Sequence, residues 1–280
     1  MIPTHCETLS EPQRAAFDQV LTVLGSHEIH LAVPETFDAK AFSELAPTVR
    51  VRRFDDRWFA SFAAHQRLMI SPIFYEAFSA FTHILIYHLD AYVFRDELLE
   101  WCQAGYDYIG APWRTGTTAD GRPLLESAGN GGFSLRNVSS ALTTLRLFNH
   151  RRFRRPTELW QELAAHQGLQ RLKSLAAYPF KCAGVRNTLA HYLATFPYTE
   201  DKFWSRCATL ANPSFRVAPP DIAKDFAFET CPDFLYEQRR EQLPFGCHAW
   251  RYHQEFWCGV IGLPPDREFA DHLERLASTT

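Results

Sequence analysis

The sequence predicts an α/β protein: a doubly wound sheet flanked by helices, in a single large domain spanning 1–280. Three observations carry that prediction. Short apolar runs alternate with amphipathic helical segments through the first 110 residues, the order that builds a sheet with helices on both faces. His83-Ile84-Leu85-Ile86-Tyr87 is an uninterrupted apolar run, as a strand covered on both faces must be, and it reads as the parallel type. Finally, 280 residues with 46% hydrophobic and 22% charged side chains can bury most of their unfolded surface in one core.

Ser10-Glu11-Pro12-Gln13 is a capping-box pattern with an early proline; Ala16, Val20, Leu21 and Leu24 then share one face, and Gly25 marks a stop, so this segment is a helix. Ile29–Val33 follows as a strand ending in Pro34-Glu35. A helix over 39–45, a strand over Val49–Phe54, a helix over Ala60–Met69 and the His83–Tyr87 strand continue the alternation. Asp96–Cys102 is a helix and Asp107–Gly110 a strand. After Pro112-Trp113 the texture changes, and 114–128, polar and glycine-containing, reads as a loop. Residues 138–190 read as helices interrupted by Arg151-Arg152-Phe153-Arg154-Arg155-Pro156. A helix near Glu200, an extended stretch at Ser214–Ala218, a helix around Asp221–Glu229 and a last helix from Asp266 to Ala277 complete the chain.

Charge and cysteines narrow the function classes. With 29 Lys plus Arg against 32 Asp plus Glu, the formal net charge of -3 excludes a globally basic nucleic-acid binder. Seven cysteines, an odd number without Cys-x-x-Cys spacing, read as reduced thiols. The sequence has neither a signal-peptide pattern nor an apolar run of bilayer length. A cytoplasmic protein is expected, one that touches a membrane only peripherally, from the inner surface.

Tyr87-His88-Leu89-Asp90 ends the buried strand. Layered α/β sheets present ligands beyond the carboxyl ends of their strands, and the two-residue strand period aims His88 and Asp90 the same way. Together they suit a divalent cation that neutralises a diphosphate; a turn-capping Asp and a core histidine are the plain structural alternative. Gly129-Asn130-Gly131-Gly132 allows positive φ or close approach of backbone to a ligand. It matches no Walker loop and lacks the spacing and preceding strand of a dinucleotide fingerprint, so a tight turn is its alternative. Glu200 and Asp201 open a helix, where carboxylates complement the dipole or serve as a general base. His248, within Pro244–Trp250, is either a packed histidine or a metal ligand.

In combination these segments resemble a known family. Leu68-Met69-Ile70-Ser71 with Phe74-Tyr75, Ile84–Phe94, Trp101-Cys102, Asp107–Trp113, Gly129–Arg136, Glu200-Asp201-x-Phe203-Trp204, Phe226–Glu229 and Pro244–Trp250 look like a family of largely uncharacterised microbial proteins. That family is similar to GT-A-fold, nucleotide-sugar-dependent glycosyltransferases. The resemblance covers 28–136 densely and 197–250 in islands. It implies a GT-A-like mixed sheet, with 1–113 binding a UDP- or GDP-sugar donor and 114–280 carrying acceptor and catalytic groups. It implies Asp90 as the last acidic position of an Asp-x-Asp-like motif, with His88 where the family usually has Gln, and His248 completing the coordination of Mn²⁺ or Mg²⁺. Gly131 and Gly132 match a loop beside the donor sugar, and Pro34 and Glu35 are expected near the base. Asp201, with Glu200 beside it, matches the carboxylate that deprotonates the acceptor hydroxyl in inverting relatives. Relatives place an apolar strand ahead of a segment like Ile2-Pro3-Thr4, and this sequence begins at that strand's end, so either the start site was chosen too late or the fold tolerates a shortened first strand.

The expected function is metal-dependent sugar transfer to an acceptor hydroxyl with inversion, in surface polysaccharide or glycoconjugate synthesis. A non-catalytic nucleotide- or glycan-binding module and a metal-dependent nucleotidyltransferase are the alternatives. Arg151, Arg152, Arg154 and Arg155, with Arg146, fall where the resemblance fades. They read as a solvated helix end or as a docking patch for a glycan, lipid-linked or other anionic acceptor; the net charge disfavours nucleic acid there.

Overall fold

The computed structural model describes residues 1–150, 156–187 and 199–262. Strands β1 (Ile2–Pro3), β2 (His30–Pro34) and β3 (Arg50–Phe54) pair in parallel in the order β1-β2-β3. Strands β4 (His83–Tyr87), β6 (Tyr108–Gly110) and β9 (Phe133–Asn137) pair in the order β4-β9-β6, with β9 antiparallel to both neighbours. Met1 joins the two sets. Its amino group donates to the Leu85 carbonyl at 2.8 Å, and its carbonyl accepts from the Tyr87 amide at 2.9 Å. The resulting order, β3-β2-β1-β4-β9-β6, is a mixed sheet with the two-residue β1 near its centre. The α/β class expected from the sequence is the one observed. The parallel reading of β4 holds only on its Met1 side, because an apolar run reports that both faces are covered, not which way the neighbours run.

Period-two alternation divides the side chains of this sheet between two cores. On one face Leu31, Val33, Leu85 and Tyr87 pack with Ala16, Phe17, Val20 and Leu24 of helix α1 (Glu11–Leu24) and with Phe42 of α2 (Lys40–Leu45). On the other, Ala32, Ile84 and Ile86 meet Leu68 of α3 (Phe62–Leu68), Phe74 and Tyr75 of α4 (Pro72–Glu76), and Val138, Ala141 and Leu145 of α6 (Val138–His150). Each such fully buried aliphatic side chain contributes about 1.5–3 kcal/mol. Helix α1 begins as its sequence predicts, with the Ser10 amide donating to Gln13 Oε1 at 3.0 Å. Helix α5 (Leu98–Gln103) covers the first face beyond β4 through Leu98, Trp101 and Cys102.

Three segments differ from expectation. Residues 114–128 are not a loop but belong to a hairpin of β7 (Pro112–Thr117) and β8 (Pro123–Ala128). The Thr118 amide donates to the Arg122 carbonyl at 2.8 Å across its turn, and Gly121 supplies φ +84°. Solvated strands of polar composition leave no apolar alternation to read. The helix expected around Asp221–Glu229 ends at Phe226 and becomes β10 (Ala227–Phe228), which joins β11 (Gly246–Cys247) and β5 (Tyr92–Val93) in a small third sheet. Helices α7 (Pro156–Ala165) and α8 (Gly168–Cys182) follow as expected. Arg151, Arg152, Arg154 and Arg155 and the helix expected at 266–277 lie outside the described residues. No helix among the described residues is long and apolar enough to cross a membrane.

Candidate active site

The chain leaving β4 and the chain leaving β11 converge. His88, Asp90 and His248 each offer one ligand atom, and these atoms all lie within 4.8 Å of one another. The backbone holds both arms: the His88 amide donates to the Gly132 carbonyl at 2.8 Å, and the His248 amide donates to the Phe228 carbonyl at 2.9 Å. His248 Nε2 lies 3.2 Å from Asp90 Oδ1, yet it is buried and makes no hydrogen bond. Its Nδ1 faces Glu229 Oε1 at 3.1 Å and Asn130 Nδ2 at 2.8 Å. Glu229 Oε1 also accepts from Asn130 Nδ2 at 2.5 Å, and Oε2 accepts from Trp113 Nε1 at 3.0 Å. A carboxylate behind one ring nitrogen fixes the tautomer that leaves the other free to bind a metal.

Electrostatics support this arrangement. Burial opposes charge on His248, but the Asp90 and Glu229 carboxylates overcome it and hold the imidazole up at about 10. Asp90 is pulled well below the carboxylate range: burial opposes this, but His248, His88 and Arg251 outweigh it. His88 is driven down to about 3 by burial and then by the charge of His248, so it is a neutral imidazole at pH 7. Two imidazoles and a carboxylate suit a divalent cation, which would displace the His248 proton on binding.

A cavity of about 540 Å³ opens in front of this cluster. Its walls are Thr4, His5 and Cys6 beyond β1, Phe59 and Phe62, His65 of α3, and Arg251. Burial also keeps His65 neutral, lowering it to about 4. Pro34 and Glu35 end β2 but are not among the lining residues, and the Glu35 carbonyl is taken by Arg53 Nη1 at 2.7 Å. A smaller apolar cavity of about 240 Å³ lies at the amino ends of β2 and β4, away from the face where such sheets present ligands.

The glycine loop packs against the cluster. Gly129, Gly131 and Gly132 are outside the positive-φ region, so close approach is the property in use. A Cβ at Gly132 would lie 2.0 Å from His248 Nε2, and one at Gly131 would lie 2.1 Å from Glu200 Oε1 and 3.2 Å from the Asp201 Cβ. The loop also follows strand β8, contrary to expectation, but it leads into a strand rather than a helix. Beneath it, the buried Arg136 guanidinium donates to Glu200 Oε1 at 2.8 Å, Ser134 Oγ at 3.0 Å, the Gly131 carbonyl at 3.3 Å and the Tyr75 hydroxyl at 3.2 Å. The two acidic residues therefore separate. Glu200 is buried in the core against Arg136, while Asp201 is half-buried beside Gly131, its Oδ1 accepting from the Lys202 amide at 2.7 Å. Burial lifts Glu200 to about 7 against the pull of Arg136, with Asp201 adding to the rise. Burial also raises Asp201.

Asn130, Arg136, Glu229, His65 and Arg251 were not identified from the sequence. Arg136 carried a readable signal, a charge within the otherwise uncharged Phe133-Ser134-Leu135-Arg136 of a buried strand. Glu229 carried none beyond its place at the end of Phe226–Glu229.

A family model described as "Protein of unknown function (DUF5672)" matches residues 48–248. No curated protein matches the chain. Among solved structures, the crystal structure of mouse xyloside xylosyltransferase 1 in its apo form is similar, with 14% identity and a TM-score of 0.45 over 88% of this chain and 95% of that one.

Proposed function

We propose that this chain, which belongs to the DUF5672 family of proteins of unknown function, is a metal-dependent transferase that moves a sugar from a nucleoside diphosphate sugar to an acceptor hydroxyl in a GT-A-like frame. The observation that carries this reading is the convergence of His88, Asp90 and His248, whose ligand atoms lie within 4.8 Å of one another, with His248 backed by Glu229 and with His88 and Asp90 lining a nucleotide-sized cavity. Asp90, His88 and His248 hold the cation. Bound there, Mn²⁺ or Mg²⁺ supplies positive charge to the departing diphosphate. Glu229, accepting from His248 Nδ1, holds the ring in its ligating tautomer, and Asn130 donates to the same Glu229 oxygen. Arg251, on the cavity wall and close enough to lower Asp90, adds a fixed cation for the phosphates. The donor's base is assigned to the Phe59 and Phe62 wall rather than to Pro34 and Glu35, which do not line the cavity.

Asp201, raised by burial, takes the proton of the acceptor hydroxyl as it attacks the anomeric carbon with inversion. Glu200 acts through others: with Arg136 it fixes Gly131 beside the donor sugar. Residues 1–113 thus supply His88, Asp90 and the Phe59 and Phe62 wall to the donor, and the chain beyond adds Gly131, His248 and Arg251 on the donor side and Asp201 for the acceptor.

The test is a panel of UDP- and GDP-sugars with and without Mn²⁺, read by thermal stabilisation and by release of free nucleotide. Metal-dependent stabilisation and slow hydrolysis to the nucleoside diphosphate are expected. Asp201→Asn should keep the stabilisation and lose turnover, and Asp90→Asn should lose the metal effect. Stabilisation by no nucleotide sugar overturns the proposal, and release of pyrophosphate from a nucleoside triphosphate supplied together with a sugar phosphate would make the protein a nucleotidyltransferase instead.

A further inference from the structure

We infer that the α7–α8 hairpin is a docking element for an anionic phospholipid surface. Its helix α8 is amphipathic in the inverted sense. At 3.6 residues per turn, Leu169, Leu172, Leu175, Ala176, Pro179 and Phe180 share one arc of about 140°. That arc faces solvent: Leu169 is 77% exposed, Leu172 65% and Phe180 63%. The half-buried Ser174, Ala177, Tyr178 and Lys181 lie on the opposite side, which contains no large aliphatic group, and the half-buried Cys182 lies at the edge of the arc. A surface helix of a globular protein turns its apolar stripe inward, so this orientation needs an external apolar phase.

Charge selects that phase. Arg171 and Lys173 border the apolar arc, one at each edge, where their aliphatic stems can run along the acyl boundary while their charges reach the headgroups. No acidic residue occurs between Glu162 and Glu200, whereas Arg171, Lys173, Lys181 and Arg186 fall in that interval, a cationic block in a chain of net charge -3. Trp160 of α7, 58% exposed, meets the Tyr178 ring edge-on with centroids 5.6 Å apart, the amphipathic pair that favours a membrane interface. An in-plane helix combines these features: an exposed apolar face, flanking cations and an interfacial aromatic. A second copy of this chain would set cations against cations on the same face.

The inference is independent of the proposed sugar transfer. The test is flotation of the full chain with large unilamellar vesicles of equal parts phosphatidylcholine and phosphatidylglycerol, and with phosphatidylcholine alone. Binding to the mixed vesicles only, falling as salt rises, is expected. Leu172→Gln with Phe180→Gln should abolish it, and Arg171→Gln with Lys173→Gln should weaken it about tenfold to thirtyfold. All four positions are exposed, so an unchanged circular dichroism spectrum and unchanged nucleotide-sugar hydrolysis in solution are expected and separate the two proposals. No binding to mixed vesicles at low salt, or binding that survives the Leu172→Gln/Phe180→Gln change, overturns the inference. So does concentration-dependent dimerisation that this same double change removes.

Discussion

Alanine at Gly132 probes whether the His248 ring must stand where it does. A Cβ at this position would lie 2.0 Å from Nε2, 2.4 Å from Cδ2 and 2.7 Å from Cε1. Carbon atoms in ordinary contact are about 3.5 Å apart, so the ring would have to withdraw by roughly 1 Å or more. Its Nδ1 is tied to Glu229 at 3.1 Å and to Asn130 at 2.8 Å, which resists that movement. Shifting the backbone instead displaces the second histidine, because the Gly132 carbonyl holds the His88 amide at 2.8 Å. Overpacking of this kind costs about 1–3 kcal/mol, which lowers Tm by about 2–12 °C in a chain of this size. A displaced ligand should also weaken Mn²⁺ binding by at least about tenfold. The assay is a thermal-shift titration with Mn²⁺ of the parent, Gly132→Ala and the control Gly259→Ala. Gly259 lies within the helix Gln254–Ile261 with no atom in reach of a new Cβ, so the control should match or exceed the parent in stability. A Gly132→Ala protein with parental Tm and parental Mn²⁺ response would refute the reasoning.

Three other predictions follow from the same cluster. Arg136→Met removes the donor to Tyr75, Ser134 and the Gly131 carbonyl and leaves Glu200 to stay protonated, and should cost about 1–3 kcal/mol in urea unfolding. The Arg136→Met/Glu200→Gln double variant should lose less than the sum of its parts, and a loss below about 1 kcal/mol for Arg136→Met alone would show the pair to be dispensable. Glu200, held near 7 in the fold against an ordinary 4.5, keeps a proton that the unfolded chain releases. Its favourable contribution is complete below about pH 4.5 and is lost as pH rises through 7, so parent stability relative to Glu200→Gln should fall by up to about 3 kcal/mol over that window. A relative stability that climbs with pH in guanidinium titrations contradicts this. Glu229→Gln keeps the shape behind His248 but removes the charge, and isothermal titration should show Mn²⁺ binding about 10–100-fold weaker; unchanged affinity would remove Glu229 from the site.

The layered α/β order was legible in the sequence because its signals are local. The Ser10–Gln13 cap, the one-sided apolar positions of α1 and the apolar run of β4 each report on a few neighbouring residues. The convergence of His88 and Asp90 was not of this kind, because β4 ends at Tyr87 and both residues lie in the turn beyond it, closed by the Ala91 amide on the His88 carbonyl at 3.0 Å. What the sequence did not contain is which distant groups these side chains would meet. His248 and Asn130 are 118 positions apart, and their meeting with Glu229 depends on β10 and β11, two-residue strands too short to show any alternation. The polar hairpin at 112–128 was hidden for a related reason, since strands facing water need no apolar pattern. Glu200 is the sharpest case. An acid in the first turn of a helix reads as a solvated dipole partner, yet it is buried because Arg136, 64 positions earlier on β9, waits beneath it. Whether a buried charge is tolerated depends on its partner and not on the residue itself, and only the tertiary structure brings the partner into place.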